Sequence, residues 1–233
     1  MKRFLLMLIL LLLPCMALAE GDFALTATVS AEESALLALP IEGAEAVLSL
    51  STGDALTVTA LGTSYCEAAV DDATGYIATA DIAFDILQGE PTRMGVVNKS
   101  PDSWDQGRLT VRKTASRKGK ALCKVAPGCL MLMLEEEGEM LQIVLPDGEG
   151  YILSKYVADV KPARSYRIAY VDPGVKAWLR LDSQYPKKYL IFTLEPGTPV
   201  QFISNPNGWA EVEVAGYRGR MLAHNLTFTA PEE

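Results

Sequence analysis

The sequence predicts an all-β protein: three tandem small β-barrels behind an N-terminal export signal. Three observations carry this. Short apolar runs, several alternating in period 2, are separated by Pro-Gly, Glu-Gly and Asp-Gly turn signals, most clearly from Arg108 to Val157, and that is the pattern of antiparallel strands in small sandwiches or barrels. No segment keeps a sustained 3.6-residue apolar period, so helix is expected only in short turns such as Leu222–Asn225. The chain also repeats itself. Gly53, Gly128 and Gly197 stand 75 and 69 residues apart, as do Gly75, Gly150 and Gly219, and so do the apolar sets Val47, Leu122, Ile191 and Leu56, Met131, Val200. A fixed period shared by independent landmarks marks a repeated structural unit.

Residues 1–19 stand outside the fold. Lys2 and Arg3 precede an apolar run from Phe4 to Leu13, and Ala17-Leu18-Ala19 offers an A-x-A cleavage site, the layout of a secretory signal peptide. Cys15 follows Pro14, where a lipobox wants a small residue. No later apolar run approaches the ~20 residues of a membrane span. The mature chain is expected to be soluble and secreted, or held in the cell envelope. The repeats divide it into domains at 20–87, 88–161 and 162–233, each of roughly 70 residues and near the lower limit for a self-sufficient core. Gly89-Glu90-Pro91 and the segment around Pro162 read as linkers. Met94–Val97 and Arg167–Val171 read as the first strands of the second and third domains, with a long loop from Asn98 to Gly107 between Val97 and the next strand.

The net charge of −8 becomes −10 when Lys2 and Arg3 leave with the signal. An acidic chain of this kind argues against a nucleic-acid partner, which wants a basic face. Three cysteines remain after processing, an odd number and no disulfide framework. Asn98-Lys-Ser and Asn225-Leu-Thr match the glycosylation pattern, which matters only in a eukaryotic secretory pathway.

The motifs of the second repeat resemble the bacterial Src-homology-3-like (SH3b) domain. They are the opening Leu109, Val111 and Arg112, a Pro127-Gly128 hairpin, and a closing segment from Gly150 through Lys155-Tyr156-Val157. The third repeat carries Gly197 to Phe202 and Asn207 to Trp209, with an opening at Leu179 and Leu181. The first keeps Gly53, Gly75-Tyr76-Ile77 and Leu37-x-Leu39. The resemblance covers nearly the whole mature chain. It implies a bacterial, non-catalytic module that binds peptidoglycan or another cell-surface polymer. SH3b repeats often accompany NlpC-type cysteine peptidases or amidases, but here they leave no room for such a domain. The alternative is a scaffold or spacer for an envelope protein, with no wall ligand.

Candidate contact residues come from aligning one strand across the repeats. Alternation turns Ala210, Val212 and Val214 inward and Trp209, Glu211 and Glu213 outward. The same step gives Leu141, Ile143, Leu145 inward with Met140, Gln142, Val144 outward, and Cys66, Ala68, Val70 inward with Tyr65, Glu67, Ala69 outward. Tyr65, Met140 and Trp209 are then equivalent, and a large side chain on a polar face is either a ligand contact or a lid over an open barrel end. The ligand set taken forward is Trp209, Tyr217, Glu211, Tyr65 and Tyr151, with Trp209 as anchor. Seven Lys or Arg between Arg108 and Lys124, with no acid among them, read as a solvated hairpin or as a dock for anionic polymers. The single histidine, His224, has no nucleophile or metal-ligand set around it. The sequence therefore predicts no catalytic residues, no metal and no cofactor. A far-ultraviolet circular dichroism spectrum of the mature chain is expected to be β-type; a strong helical double minimum would contradict the fold.

Overall fold

The computed structural model describes residues 24–98, 107–145, 148–161, 167–181 and 190–231. The segment expected to be an export signal, with Cys15, most of the loop between Asn98 and Gly107, and the linker at Pro162 lie outside them. Three seven-stranded antiparallel sheets follow one another along the chain. The first holds β1 (Leu25–Val29), β2 (Glu33–Leu37), β3 (Ala46–Ser51), β4 (Ala55–Ala60), β5 (Tyr65–Val70), β6 (Ala73–Ala78) and β7 (Ile82–Phe84). The second holds β8 (Met94–Val97), β9 (Leu109–Arg112), β10 (Ala121–Val125), β11 (Leu130–Glu137), β12 (Met140–Leu145), β13 (Gly148–Leu153) and β14 (Val157–Val160). The third holds β15 (Arg167–Val171), β16 (Ala177–Arg180), β17 (Leu190–Leu194), β18 (Pro199–Ser204), β19 (Trp209–Val214), β20 (Tyr217–Leu222) and β21 (Leu226–Thr227).

The strand order is the same in each sheet: β3-β2-β6-β5-β4-β1-β7, then β10-β9-β13-β12-β11-β8-β14, then β17-β16-β20-β19-β18-β15-β21. The two end strands of each order are not hydrogen-bonded to each other, so the sheets stay open. Single 3₁₀ turns at Thr79–Asp81, Ser154–Tyr156 and Ala223–Asn225 keep the same repeat spacing. No α-helix occurs among the described residues.

The landmark glycines have physical causes. Gly53, Gly128 and Gly197 have φ of +92°, +85° and +78°, left-handed values that a side chain resists. The closing glycines lie where one strand crosses another. A Cβ on Gly75 would sit 2.5 Å from the Leu37 carbonyl oxygen, on Gly150 2.5 Å from Val111 Cγ1, and on Gly219 2.7 Å from the Arg180 carbonyl oxygen. Each faces an inward residue of the preceding strand, namely Ala68, Ile143 and Val212.

The pairing corrects two readings. Pro127-Gly128 is no hairpin: Cys129 N–H donates back to the Ala126 carbonyl at 3.3 Å, but β10 pairs with β9 while β11 pairs with β8 and β12. Turn signals locate a corner without saying which strands it joins. The opening pairs also shift. Leu37, Arg112 and Arg180 pair with Tyr76, Tyr151 and Arg220, so the equivalents of Leu109 and Val111 are Ser34 and Leu36 in the first domain and Ala177 and Leu179 in the third.

Six of the nine residues expected inward, Cys66, Ala68, Leu141, Ile143, Ala210 and Val212, are buried, while Val70, Leu145 and Val214 at the strand ends are half-buried. The outward faces depart from expectation in part, where a neighbouring domain covers them. The apolar core of the first domain continues into Leu130, Leu132 and Val144 of the second. The cores of the second and third are continuous through Cys129 and Tyr217. Val144, expected outward, is buried in that joint core, and Met140, also expected outward, is buried as well.

Gly150→Ala should cost about 1–3 kcal/mol through overpacking, whereas Gly174→Ala, with only Asp172 Oδ1 nearby at 3.6 Å, should change the unfolding midpoint little. Ile143→Asp should cost about 3 kcal/mol or more by burying an unpaired charge. Gln142→Asp, on the opposite face, should cost far less, only what is lost by putting a carboxylate beside Glu149 in place of the amide bonded to it. Equal losses for the Ile143 and Gln142 variants in denaturant titration would contradict the register.

Candidate binding cleft between the first and third domains

The cleft is organised by the tip of the β19–β20 hairpin. Ala215 and Gly216 take φ of +48° and +78°, the positive pair that a two-residue turn needs to match strand twist. The equivalent turn of the first domain, Asp71-Asp72, is exposed. The Ala215-Gly216 tip is half-buried instead, because it reaches both other domains. Towards the second, Leu130 N–H donates to the Gly216 carbonyl at 2.8 Å and Arg218 N–H to the Gly128 carbonyl at 2.8 Å, with Cys129 and Tyr217 forming an antiparallel bridge. Towards the first, Ala215 N–H donates to the Glu67 carboxylate.

A second carboxylate makes the converse contact. Glu213 on β19 is 2 % exposed and accepts from Thr63 N–H at 3.0 Å and Thr63 Oγ1 at 2.9 Å. Arg218 Nη1 approaches it at 3.4 Å. Each domain thus inserts a glutamate against a backbone N–H of the other. Gln201 on β18 adds a third contact, its Nε2 donating to the Tyr65 carbonyl at 3.4 Å. Its Oε1 is buried with no hydrogen-bond partner.

Together these residues border a small cleft that opens to solvent. Its polar side chains are Tyr65, Glu67, Tyr76, Gln201 and Glu213, and its apolar walls include Pro40, Leu61, Pro199 and Val214. Among the described residues no Lys, Arg or His lines it. Burial raises the Glu67 and Glu213 carboxyls above the usual glutamate range, against the pull of their N–H donors. Burial, with Glu67 second, also pushes the Tyr76 phenol up, so its hydroxyl stays protonated. Tyr65 is raised by burial, then by Glu42 and Asp81. The Cys66 thiol is buried and raised by that burial, the state of an unreactive core cysteine.

The sequence-predicted contact residues scatter. Tyr65 lines the cleft. Glu211 pairs with Arg218 at 2.9 Å and accepts from Ser204 Oγ. Trp209 is half-buried at the far end of β19, opposite Leu222, and does not border the cleft. Tyr151 is half-buried on β13, between Gln142 and Arg112. Tyr217 is a correction: at 3 % exposure it belongs to the joint core of the second and third domains, edge-on to Phe192 with ring centroids 5.4 Å apart. The basic segment forms the β9–β10 hairpin, with Arg117 paired to Glu139 outside it. No disulfide forms among the described residues, which include Cys66, Cys123 and Cys129. No cluster of three or more metal-ligating His, Cys, Asp or Glu occurs among the described residues.

Sequence reasoning missed Gln201 and Glu67. Alternation did put Glu67 on the same face as Tyr65. What β18 offered was one amide in an otherwise apolar and hydroxylic strand, Pro-Val-Gln-Phe-Ile-Ser, at the position where the second domain has Leu132.

No protein-family model matches the chain, and no curated protein matches it. Solved structures align with it loosely. NlpC1 from Trichomonas vaginalis aligns over 89% of this chain and 90% of its own, at 9% identity and a TM-score of 0.27. NlpC2 from the same organism aligns over 88% and 94%, at 8% identity and a TM-score of 0.26. An NlpC/P60 family protein from Bacillus cereus aligns over 88% and 99%, at 9% identity and a TM-score of 0.30. Superpositions this loose assign no function.

The two raised glutamates predict a pH dependence. A carboxyl whose pKa is higher folded than unfolded leaves the native state with more bound protons, so its contribution is fully present below the ordinary value of 4.5 and is lost as pH rises through the raised one. Glu67→Gln should remove its share of that decline, gaining on the wild type as pH rises above 4.5. Denaturant midpoints across a pH series test this; parallel curves for the two proteins would contradict it.

Proposed function

We propose that the protein is a non-catalytic, exported module of three SH3b-like domains that binds peptidoglycan or another cell-surface polymer, with the cleft between the first and third domains as its contact site. The observation that carries the site is the buried Gln201 Oε1, left without a partner beside two desolvated glutamates. Buried polar atoms are nearly always satisfied, and an unfilled acceptor in an open cleft is where a ligand gains most. The export signal and the SH3b motifs supply the envelope context. His224, exposed in its 3₁₀ turn, lends no support to an enzymatic reading.

A scaffold role has one observation in its favour. Val47, Leu122 and Leu190 are exposed on β3, β10 and β17, the corresponding outer strand of each sheet, and apolar residues on an unpaired edge suit a protein partner.

Retention of the mature chain on purified cell-wall sacculi, washed at low and high salt, tests the choice. Wild type should be retained, and Gln201→Ala should weaken retention at least about tenfold, or ~1.4 kcal/mol, in a protein that still folds, even though it gives up the bond to the Tyr65 carbonyl. Loss on Trp209→Ala instead, with the fold intact, would move the contact to the start of β19. No retention of wild type would favour the scaffold.

A further inference from the structure

Resting on that reading, we propose that the cleft between the first and third domains takes a primary ammonium at the end of an alkyl chain, the group carried by a lysine or diamino-acid side chain. The polar lining is almost all acceptor. Glu67, Glu213 and the Gln201 oxygen can only accept, and beyond them the side chains offer the hydroxyls of Tyr65 and Tyr76.

The two glutamates differ in what they still need. Glu213 already has Thr63 and Arg218. Glu67 has the Ala215 N–H, and among the described residues no cation stands beside it. Gln201 cannot answer its own need by turning its amide over, because its Nε2 is engaged with the Tyr65 carbonyl. Only a donor from outside its own side chain can satisfy Gln201 Oε1. An anionic or acceptor-only ligand would face two carboxylates at reduced dielectric and be repelled.

Size and walls narrow the class further. The enclosed part of the cleft holds little more than one water-sized group, which fits a compact ammonium with its three donors better than a planar guanidinium fork. Pro40, Leu61, Pro199 and Val214, with the two tyrosine rings, give an alkyl stem apolar surface. Tyrosine rings also attract a cation.

The test uses the mature chain with Nα-acetyl-lysine methylamide, and its neutral isostere Nα-acetyl-norleucine methylamide as control, followed by amide chemical-shift titration. The lysine probe should saturate with shifts at Tyr65, Glu67, Gln201 and Ala215, and bind at least tenfold more tightly than the norleucine probe. Glu67→Gln and, as a second variant should that one not fold, Gln201→Met should each weaken the lysine probe at least tenfold. Equal binding of the two probes, or none, overturns the proposal, as does unchanged binding in a folded variant. Sacculus retention is scored separately. Retention without lysine-probe binding sinks the ammonium site and leaves the polymer reading standing. Lysine-probe binding in the cleft without retention sinks the polymer reading and leaves the ammonium site.

Discussion

Two residues at the tip of one hairpin, Ala215 and Gly216, tie the three domains together. Gly216 gives its carbonyl to Leu130 of the second domain while the neighbouring Ala215 gives its N–H to Glu67 of the first. The tip fits there because it has almost no side chain. An Asp-Asp tip, as in the first domain, would bring two charges into the space between two other sheets, and burying unpaired charge costs far more than a turn contributes. The cleft follows from the same placement, since its floor is the strand leading into that tip.

The interfaces have different chemistry. The first and second domains meet through Leu130, Leu132 and Val144, and the second and third through Cys129 and Tyr217, all in continuous apolar cores. The first and third meet through carboxylates, an amide and a hydroxyl. An apolar seam stabilises by area and tolerates small displacement. A carboxylate on a single N–H depends on tenths of an ångström and on solvent. The polar seam is the one that can admit a ligand and respond to it.

The division into three repeats was legible because glycine was forced where strands cross or φ turns positive, at Gly75, Gly150, Gly219 and at Gly53, Gly128, Gly197. Those demands are local, and local demands leave marks on sequence. Strand partners are not local. Pro127-Gly128 announced a turn correctly and a hairpin wrongly, because the partner of β10 is decided by the path of β9. Alternation likewise identified which residues face away from each core, and Ile143 against Gln142 shows it working. It could not say what lies on the far side, so Tyr217 and Met140, assigned outward or contact roles, proved buried. Of the cleft, only Tyr65 stood out beforehand as an aromatic on a polar face. Gln201 gains its meaning from a domain more than a hundred residues away, and nothing in Pro-Val-Gln-Phe-Ile-Ser reports on that.

A string of beads lengthens under tension one bead at a time. Here every pair of domains touches, and the first is fastened to the third by Thr63 on Glu213 and Ala215 on Glu67, so the chain forms a loop closed on itself. A pull applied at its two ends must part that polar seam before the first and third domains can separate. The polar seam would act as a mechanical latch: stiff until the load breaks it, then compliant, with the cleft residues parted in the same event.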